Sequence, residues 1–216
     1  NINYTNVCQY SCRFCAFSHP GGEAATGRAA YDIDAEELHR RVAEAADLGA
    51  TEVCLQGGIH PDYTGQTYLD IVETVRQAAP EMHIHAFSPL EVDQGAQTLN
   101  MPVDDYIGLL KTAGLDSLPG TAAEVLDADV RRVLCPDKVS AERWLEIMAA
   151  AHEQGLSSTA TIMFGHVDTP AAWVRHWQQI IALQERTGGF SEVVPLPFVA
   201  EGAPIFRKGE ARSGPT

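Results

Sequence analysis

The chain has 216 residues, of which 45% are apolar, and a formal charge of −14. Such a length suits one large domain with its own core, often an entire α/β barrel, so residues 1–216 are read as a single domain. No run of about eighteen apolar residues occurs, which excludes an obvious membrane span, and an acidic chain without a basic patch argues against a nucleic-acid partner.

The first strand is expected over residues 1–6, leading straight into a cysteine-rich loop with no signal-peptide pattern before it. The chain starts without Met and inside a strand, so a segment upstream is expected. Residues 20–30 are small, polar and Gly-rich and read as a mobile loop. Asp34 and Glu37 have capping-box spacing, Leu38, Val42, Ala45 and Ala46 follow at helical period, and Gly49 ends that helix. A second strand covers residues 51–56, followed by Gly57 and Gly58. Tyr68, Ile71, Val72 and Val75 mark a second helix, stopped by Pro80, and residues 82–87 a third strand. The third helix is expected to start at Pro102 and to end at Gly114, before a short strand over 115–117.

Residues 121–134 read as irregular helix. Ser140 caps a helix with Trp144, Leu145, Met148 and Ala151 inward, closed by Gly155, and a fifth strand spans 157–163. Thr169 and Pro170 open a long helix whose inner face is expected at Trp173, Trp177, Ile180 and Ile181. A sixth strand covers 191–194, and the Pro/Gly-rich tail is expected to carry no further helix. Strand, helix, glycine and strand recur at Gly49, Gly114 and Gly155, the pattern of parallel βα units, in a closed barrel or an open sheet.

Strand alternation sorts the side chains. In a barrel, Glu52, Cys54 and Gln56, then His83, His85 and Phe87, then Thr159, Thr161 and Met163 would face the lumen. Val53, Leu55, Ile84, Ala86, Ala160, Ile162 and Phe164 would face helices. A polar lumen points to a substrate cavity; the plainer reading is a set of hydrogen-bonded core groups. His60 and His166 follow strand ends at the expected rim. Cys54 and Cys135 read as ordinary thiols rather than ligands.

The chemistry centres on Cys8, Cys12 and Cys15, a C-x3-C-x2-C spacing with Phe14 before the third cysteine. Three thiolates on one loop can converge on a metal centre. A closed structural zinc site takes four ligands, whereas three suit a 4Fe-4S cluster with one open iron. Five cysteines, three of them this close, do not make a disulfide framework, and a reducing cytosol is the expected compartment. A non-catalytic zinc loop stays open as an alternative.

The cysteine motif resembles the signature of the radical S-adenosylmethionine (radical SAM) enzymes. That resemblance implies a partial barrel of about six strands with Cys8, Cys12 and Cys15 on the cluster. It also implies S-adenosylmethionine on the open iron, near Phe14 and the Gln56-Gly57-Gly58 turn. The family's Gly-Gly-Glu motif is matched only at the glycines, since Ile59 stands where Glu would. By position Glu124 is a candidate for the ribose hydroxyls, and Lys138 and Arg143 for the methionine carboxylate.

Further stretches resemble the FO synthase branch. They are residues 3–8, 12–17, 56–61, 83–89, 119–124, 164–168 and 194–198, so the likeness runs nearly end to end. It implies that the tyrosine-using domain takes a hydrogen from L-tyrosine with a 5′-deoxyadenosyl radical, after an electron donor reduces the cluster. The Cα–Cβ bond then breaks, and the 4-hydroxybenzyl group is transferred to 5-amino-6-(D-ribitylamino)uracil. The product feeds FO, the deazaflavin chromophore of coenzyme F(420), with a ring-closing partner subunit or fused domain. His85, Thr161 and His166 are the candidate substrate-handling residues. The rival branch is the dehypoxanthine futalosine cyclase of menaquinone synthesis. It carries Pro-Gly-Gly-Gly-Ala-Glu where this chain has Pro-Gly-Thr-Ala-Ala-Glu at 119–124, which favours FO synthase. Against that family the chain reads as truncated at both ends.

Overall fold

The computed structural model describes residues 1–21 and 29–215. Most of the Gly-rich loop expected over 20–30 lies outside the described residues. Six strands form one parallel sheet in chain order: β1 (Ile2–Asn3), β2 (Glu52–Gln56), β3 (His83–Ala86), β4 (Ser117–Leu118), β5 (Ser157–Phe164) and β6 (Phe190–Pro197). β1 and β6 are its two edges, so the sheet is an open part-barrel rather than a closed one. Each strand returns through helix: α1 (Ala35–Asp47), α2 (Gly65–Ala78), α3 (Pro89–Thr98) and α4 (Val103–Ala113), then α5 (Ala128–Leu134), α6 (Ala141–Glu153) and α7 (Pro170–Thr187). Among the described residues no helix is long and apolar enough to cross a membrane.

The local signals explain most boundaries. Asp34 accepts from the Glu37 N–H at 2.8 Å and Ser140 from the Arg143 N–H at 3.1 Å, caps worth about 1 kcal/mol each. The Glu37 carboxylate does not close a capping box; it pairs with Arg40 and Arg41. The outward strand face is apolar and buried, with Val53, Leu55, Ile84, Ala86, Leu118 and Ala160 under the helices. α2, α4, α6 and α7 pack in succession over it.

Four expectations are corrected. α3 is a helix that the sequence reading left out: Ser88 and Glu91 make a full capping box with Pro89 in the first turn. Its middle, Asp93 to Thr98, has no strong apolar period, and Gly95 is there because a Cβ would lie 2.4 Å from the Tyr106 ring. Residues 121–127 are turns, and helix begins only at Ala128. On α7 the buried face is Ala172, His176, Ile180 and Leu183, while Ile181 is exposed; the tryptophans at 173 and 177 flank that face. The tail does carry a short helix, α8 (Pro204–Arg207).

Phe87 also departs from alternation. β3 stops at Ala86, and Phe87 takes φ 65°, which turns its ring out of the lumen and onto Tyr68 at 5.0 Å between centroids.

Two buried histidines tie stability to pH. Burial pushes both His152 and His176 down to about 4. His152 bonds Thr187 and Ser158, and His176 Nδ1 accepts from the Leu126 N–H at 3.0 Å. Between pH 4 and 6.5 the unfolded chain binds more protons at these sites than the folded one, so stability should rise with pH across that window. The gain is on the order of 3 kcal/mol for His176 and smaller for His152, which is less deeply buried. Urea unfolding between pH 4 and 7 checks this: replacing both histidines by Gln should flatten the curve, and an unchanged slope would contradict it.

Candidate active site

The C-terminal ends of the strands carry the loops that enclose a cavity of about 210 Å³. Cys8, Cys12, Phe14 and Cys15 come from the loop after β1, Gln56 to Ile59 from the end of β2 and the loop after it, and Ser88 and Glu91 from the start of α3. Thr121, Ala122 and Glu124 follow β4, with Thr161 and Met163 from β5. A second hollow of about 530 Å³ lies against the cysteine loop and shares Cys8, Cys12 and Cys15 as its wall.

The cysteine loop is held chiefly by backbone hydrogen bonds; of its thiols, Cys15 Sγ accepts from the Ser18 N–H at 3.3 Å. The Cys8 N–H donates to His19 O at 2.8 Å, the Arg13 N–H to Leu134 O at 2.8 Å, and the Ile205 N–H to Arg13 O at 2.8 Å. The Arg13 guanidinium pairs with Glu210. Thus α5 and the tail helix α8 clamp the loop, and Cys12 and Phe14 rest on a small core that includes Leu134, Phe198 and Ile205. All five cysteines are unpaired. Among the described residues no three His, Cys, Asp or Glu side chains gather closely enough for a single metal ion. A zinc ion would draw its thiolates to about 2.3 Å from one point, whereas a four-iron cluster takes its thiolates on separate irons.

The residues present fit a cluster with a polar organic ligand. Three soft donors line one wall. In the same cavity, Thr121 Oγ1 is buried without a partner among the described residues, as an acceptor or donor awaiting a ligand would be. Burial pushes the Cys12 thiol up to about 12, against the opposing pull of Lys138, so ligation there must displace a proton.

Glu124 lines the cavity with φ 49°, and Ala122 beside it has φ 63°; both are strained left-handed residues. Buried Arg131 supports this turn by donating to Ala122 O and Ala123 O at 3.2 and 2.5 Å. Lys138 donates to Glu124 Oε1 at 2.7 Å, with both side chains largely buried, and its ammonium lies 5.6 Å from the Phe14 ring centroid. Burial works to lower the Lys138 pKa, but the Glu124 carboxylate and the Cys12 and Cys135 sulfurs together outweigh it and the group is raised. Lys138 is therefore in the cavity but already paired. Arg143 is outside it, bound to Asp93 and Glu146.

Gly57 and Gly58 are in place, and their neighbours explain them. A Cβ on Gly57 would fall 2.2 Å from the Tyr4 ring, and one on Gly58 2.2 Å from Val7 O. The glycines let β1 and the cysteine loop press against the turn; open space for a ligand is not what selects them. Gly58→Ala should cost at least about 1–3 kcal/mol by overpacking and displace the cysteine loop. Thermal unfolding together with iron uptake checks it, and wild-type values in both would overturn the contact.

Thr161 lines the cavity, with its Oγ1 bonded to Gly120 O at 2.6 Å. His85 does not line it; it lies within β3, in register with Cys54 and Ser117. His166 is not brought to the cavity either. Its side chain is fully buried, with Nδ1 accepting from the Val167 N–H and Nε2 on Met163 O, so it fixes its own loop. His60 likewise accepts from the Asp62 N–H and stacks on Tyr63 at 4.9 Å.

The residue the sequence reading missed is Glu91. It is 2% exposed and lines the cavity. Its Oε1 accepts from the Tyr4 hydroxyl and the Gly57 N–H, and its Oε2 from the Ser88 N–H and hydroxyl. The Ser-Pro-Leu-Glu capping box at 88–91 was the available signal.

Comparison with known proteins follows the same lines. Residues 2–178 match the family model described as "Radical SAM superfamily". The chain is 48% identical over 214 residues to the 5-amino-6-(D-ribitylamino)uracil–L-tyrosine 4-hydroxyphenyl transferase of Methanopyrus kandleri, covering 99% of this chain and 57% of that protein. It is 47% identical to an FO synthase of Streptomyces avermitilis, covering 100% of this chain and 25% of that protein. The chain thus spans little more than half of the first and a quarter of the second. Among solved structures it matches methylornithine synthase with a TM-score of 0.73 at 17% identity, covering 94% of this chain and 54% of the other, a likeness of fold alone.

Proposed function

Because the chain belongs to the radical SAM superfamily, we propose that it forms the S-adenosylmethionine-cleaving barrel of a tyrosine-using FO synthase. The substrates on this reading are L-tyrosine and 5-amino-6-(D-ribitylamino)uracil. The product is the 4-hydroxybenzyl adduct on the way to FO and coenzyme F(420), closed by a partner subunit or fused domain. The observation that carries it is near-complete coverage of this chain at 47–48% identity by proteins bearing those two names. The cavity supports it by placing three cysteines, the Gly57–Gly58 turn and Glu124 around one space.

Cys8, Cys12 and Cys15 would hold the 4Fe-4S cluster. When bound, it supplies, with an electron donor, reductive cleavage of S-adenosylmethionine to methionine and a 5′-deoxyadenosyl radical. The protein's own part is positional. The Oε2 of Glu124 makes no hydrogen bond to the described residues and, with Thr121 Oγ1, gives polar partners for the cofactor's hydroxyls. Lys138 holds Glu124 in place through its ammonium. Met163, Ile59 and Phe14 exclude water from the same space. The polar lumen beneath, with Thr161 near its top, receives the two substrates. A reducing cytosol is the compartment we assign.

Anaerobic reconstitution with iron and sulfide, then S-adenosylmethionine and reductant, tests the reading. 5′-Deoxyadenosine should rise strongly when tyrosine and the diaminouracil are both present, with a new adduct mass. Cleavage that ignores this pair but responds to dehypoxanthine futalosine would replace the reading with the sister branch. Zinc at one equivalent, without iron, would replace it with a structural metal loop.

A further inference from the structure

One layer down the lumen from Gln56, two histidines share one hydroxyl. His83 Nε2 lies 2.8 Å and His85 Nδ1 2.7 Å from Ser117 Oγ. A hydroxyl has one proton to give, so it donates to one ring and accepts from the other. The three side chains are therefore a directed chain whose protons must move together. The two ends differ in access. The His83 side chain is 43% exposed, with Glu52 at 3.7 Å. His85 is half-buried, in register with Cys54, and its Nε2 makes no hydrogen bond among the described residues.

We propose that His85, Ser117 and His83 form a proton relay that carries a proton from a substrate in the lumen to solvent. It rests on the reading that substrates occupy the space beneath the cysteine cavity, and it assigns a role to residues outside that cavity. The resting arrangement has the His85 Nδ1–H donating to Ser117 and the Ser117 O–H donating to His83 Nε2. His85 Nε2 takes the proton of a substrate N–H or O–H, and the bonding pair stays on the substrate. The His85 Nδ1 proton passes to Ser117 as the Ser117 proton passes to His83. The charge ends as an imidazolium at His83, beside the Glu52 carboxylate and open to water. No oxidant or reductant is involved.

The groups facing the relay suit it. Glu52 on β2 and Glu192 on β6 favour positive charge there, and His83 opposes it at His85. Burial dominates and lowers the His85 pKa, so the ring starts neutral and able to accept. Cys54, the thiol opposite, is itself raised by burial and stays protonated.

The test has two arms on the full-length enzyme. In the first, nitrogen-15 NMR reads imidazole tautomers and titration. Wild type should show His85 with its proton on Nδ1 and a His83 titration coupled to it. In Ser117→Ala the two rings should titrate independently. Identical titrations in both proteins would overturn the relay, whatever the substrate. In the second arm, Ser117→Ala should lower substrate turnover about 100-fold and change its pH profile, and Ser117→Thr should restore most of it. His83→Ala should be rescued by added imidazole, as expected for an exposed proton exit and not for a structural residue. Wild-type pH profiles in Ser117→Ala would also overturn the relay. Failure of tyrosine and diaminouracil to stimulate wild type would instead count against the substrate reading, with the first arm still deciding the relay.

Discussion

Cys12→Ala should bring bound iron after anaerobic reconstitution down to background, with the far-ultraviolet circular dichroism of wild type retained. The loop does not need the Cys12 thiol to keep its shape. The Cys8 and Arg13 N–H groups are paired to His19 and Leu134, and Arg13 O accepts from Ile205. Losing one side chain therefore removes a ligand and leaves the backbone where it was. Even outer partners of a metal centre are worth about 10–100-fold in affinity, and one thiolate of three is worth more. Cys135→Ala is the matched control. Cys135 is buried, lies at the end of α5 and packs in the same small core as Cys12, yet it does not line the cavity. It should keep its iron. Full iron in Cys12→Ala, or equal loss in Cys135→Ala, would sink the assignment of the three ligands.

The sheet was legible because most of its strands are short alternations and several follow a helix that a glycine ends, and such local patterns survive folding. The helix caps at Asp34, Ser140 and Thr169 were legible for the same reason. The cysteine wall could be read from spacing alone. What failed were statements about facing and partnership. Phe87 follows the alternation of β3 in sequence and leaves it through one left-handed dihedral. Helix α3 has the right cap but little apolar period, since it packs through Gly95 against Tyr106 and through Glu91 against the cavity. His166 stands where a rim catalyst would stand and is spent on its own loop. Lys138 and Glu124 were read as two separate cofactor contacts and are each other's partner. Ser117 has no motif at all; its meaning comes from two histidines of the neighbouring strand β3 that reach it.

Glu91→Ala should be the most destabilising single change at the site. The carboxylate collects the Tyr4 hydroxyl, the Ser88 N–H and hydroxyl, and the Gly57 N–H in a buried setting. Each buried donor left without an acceptor costs about 1–3 kcal/mol, and only the Ser88 hydroxyl can easily turn elsewhere, so the loss is on the order of 4 kcal/mol. Because Gly57 N–H and the Tyr4 ring set the turn that abuts the cysteine loop, iron uptake should fall as well. Glu91→Gln separates charge from shape. It keeps an oxygen for Tyr4 and Gly57 but sets an amide donor against the Ser88 N–H, so a loss of about half that size is expected. Burial raises the Glu91 carboxyl despite its four donors. The folded chain then holds this proton at pH values where the unfolded chain has released it, so the Glu91 contribution to stability falls as pH rises from about 4.5 through the raised value. His152 and His176 tilt the curve the other way over part of that range. The difference between wild type and Glu91→Gln removes the histidines and leaves Glu91 alone. That difference should shrink as pH rises. Urea midpoints at several pH values measure it, and a difference that grows with pH would mean the four donors, not burial, control the charge of Glu91.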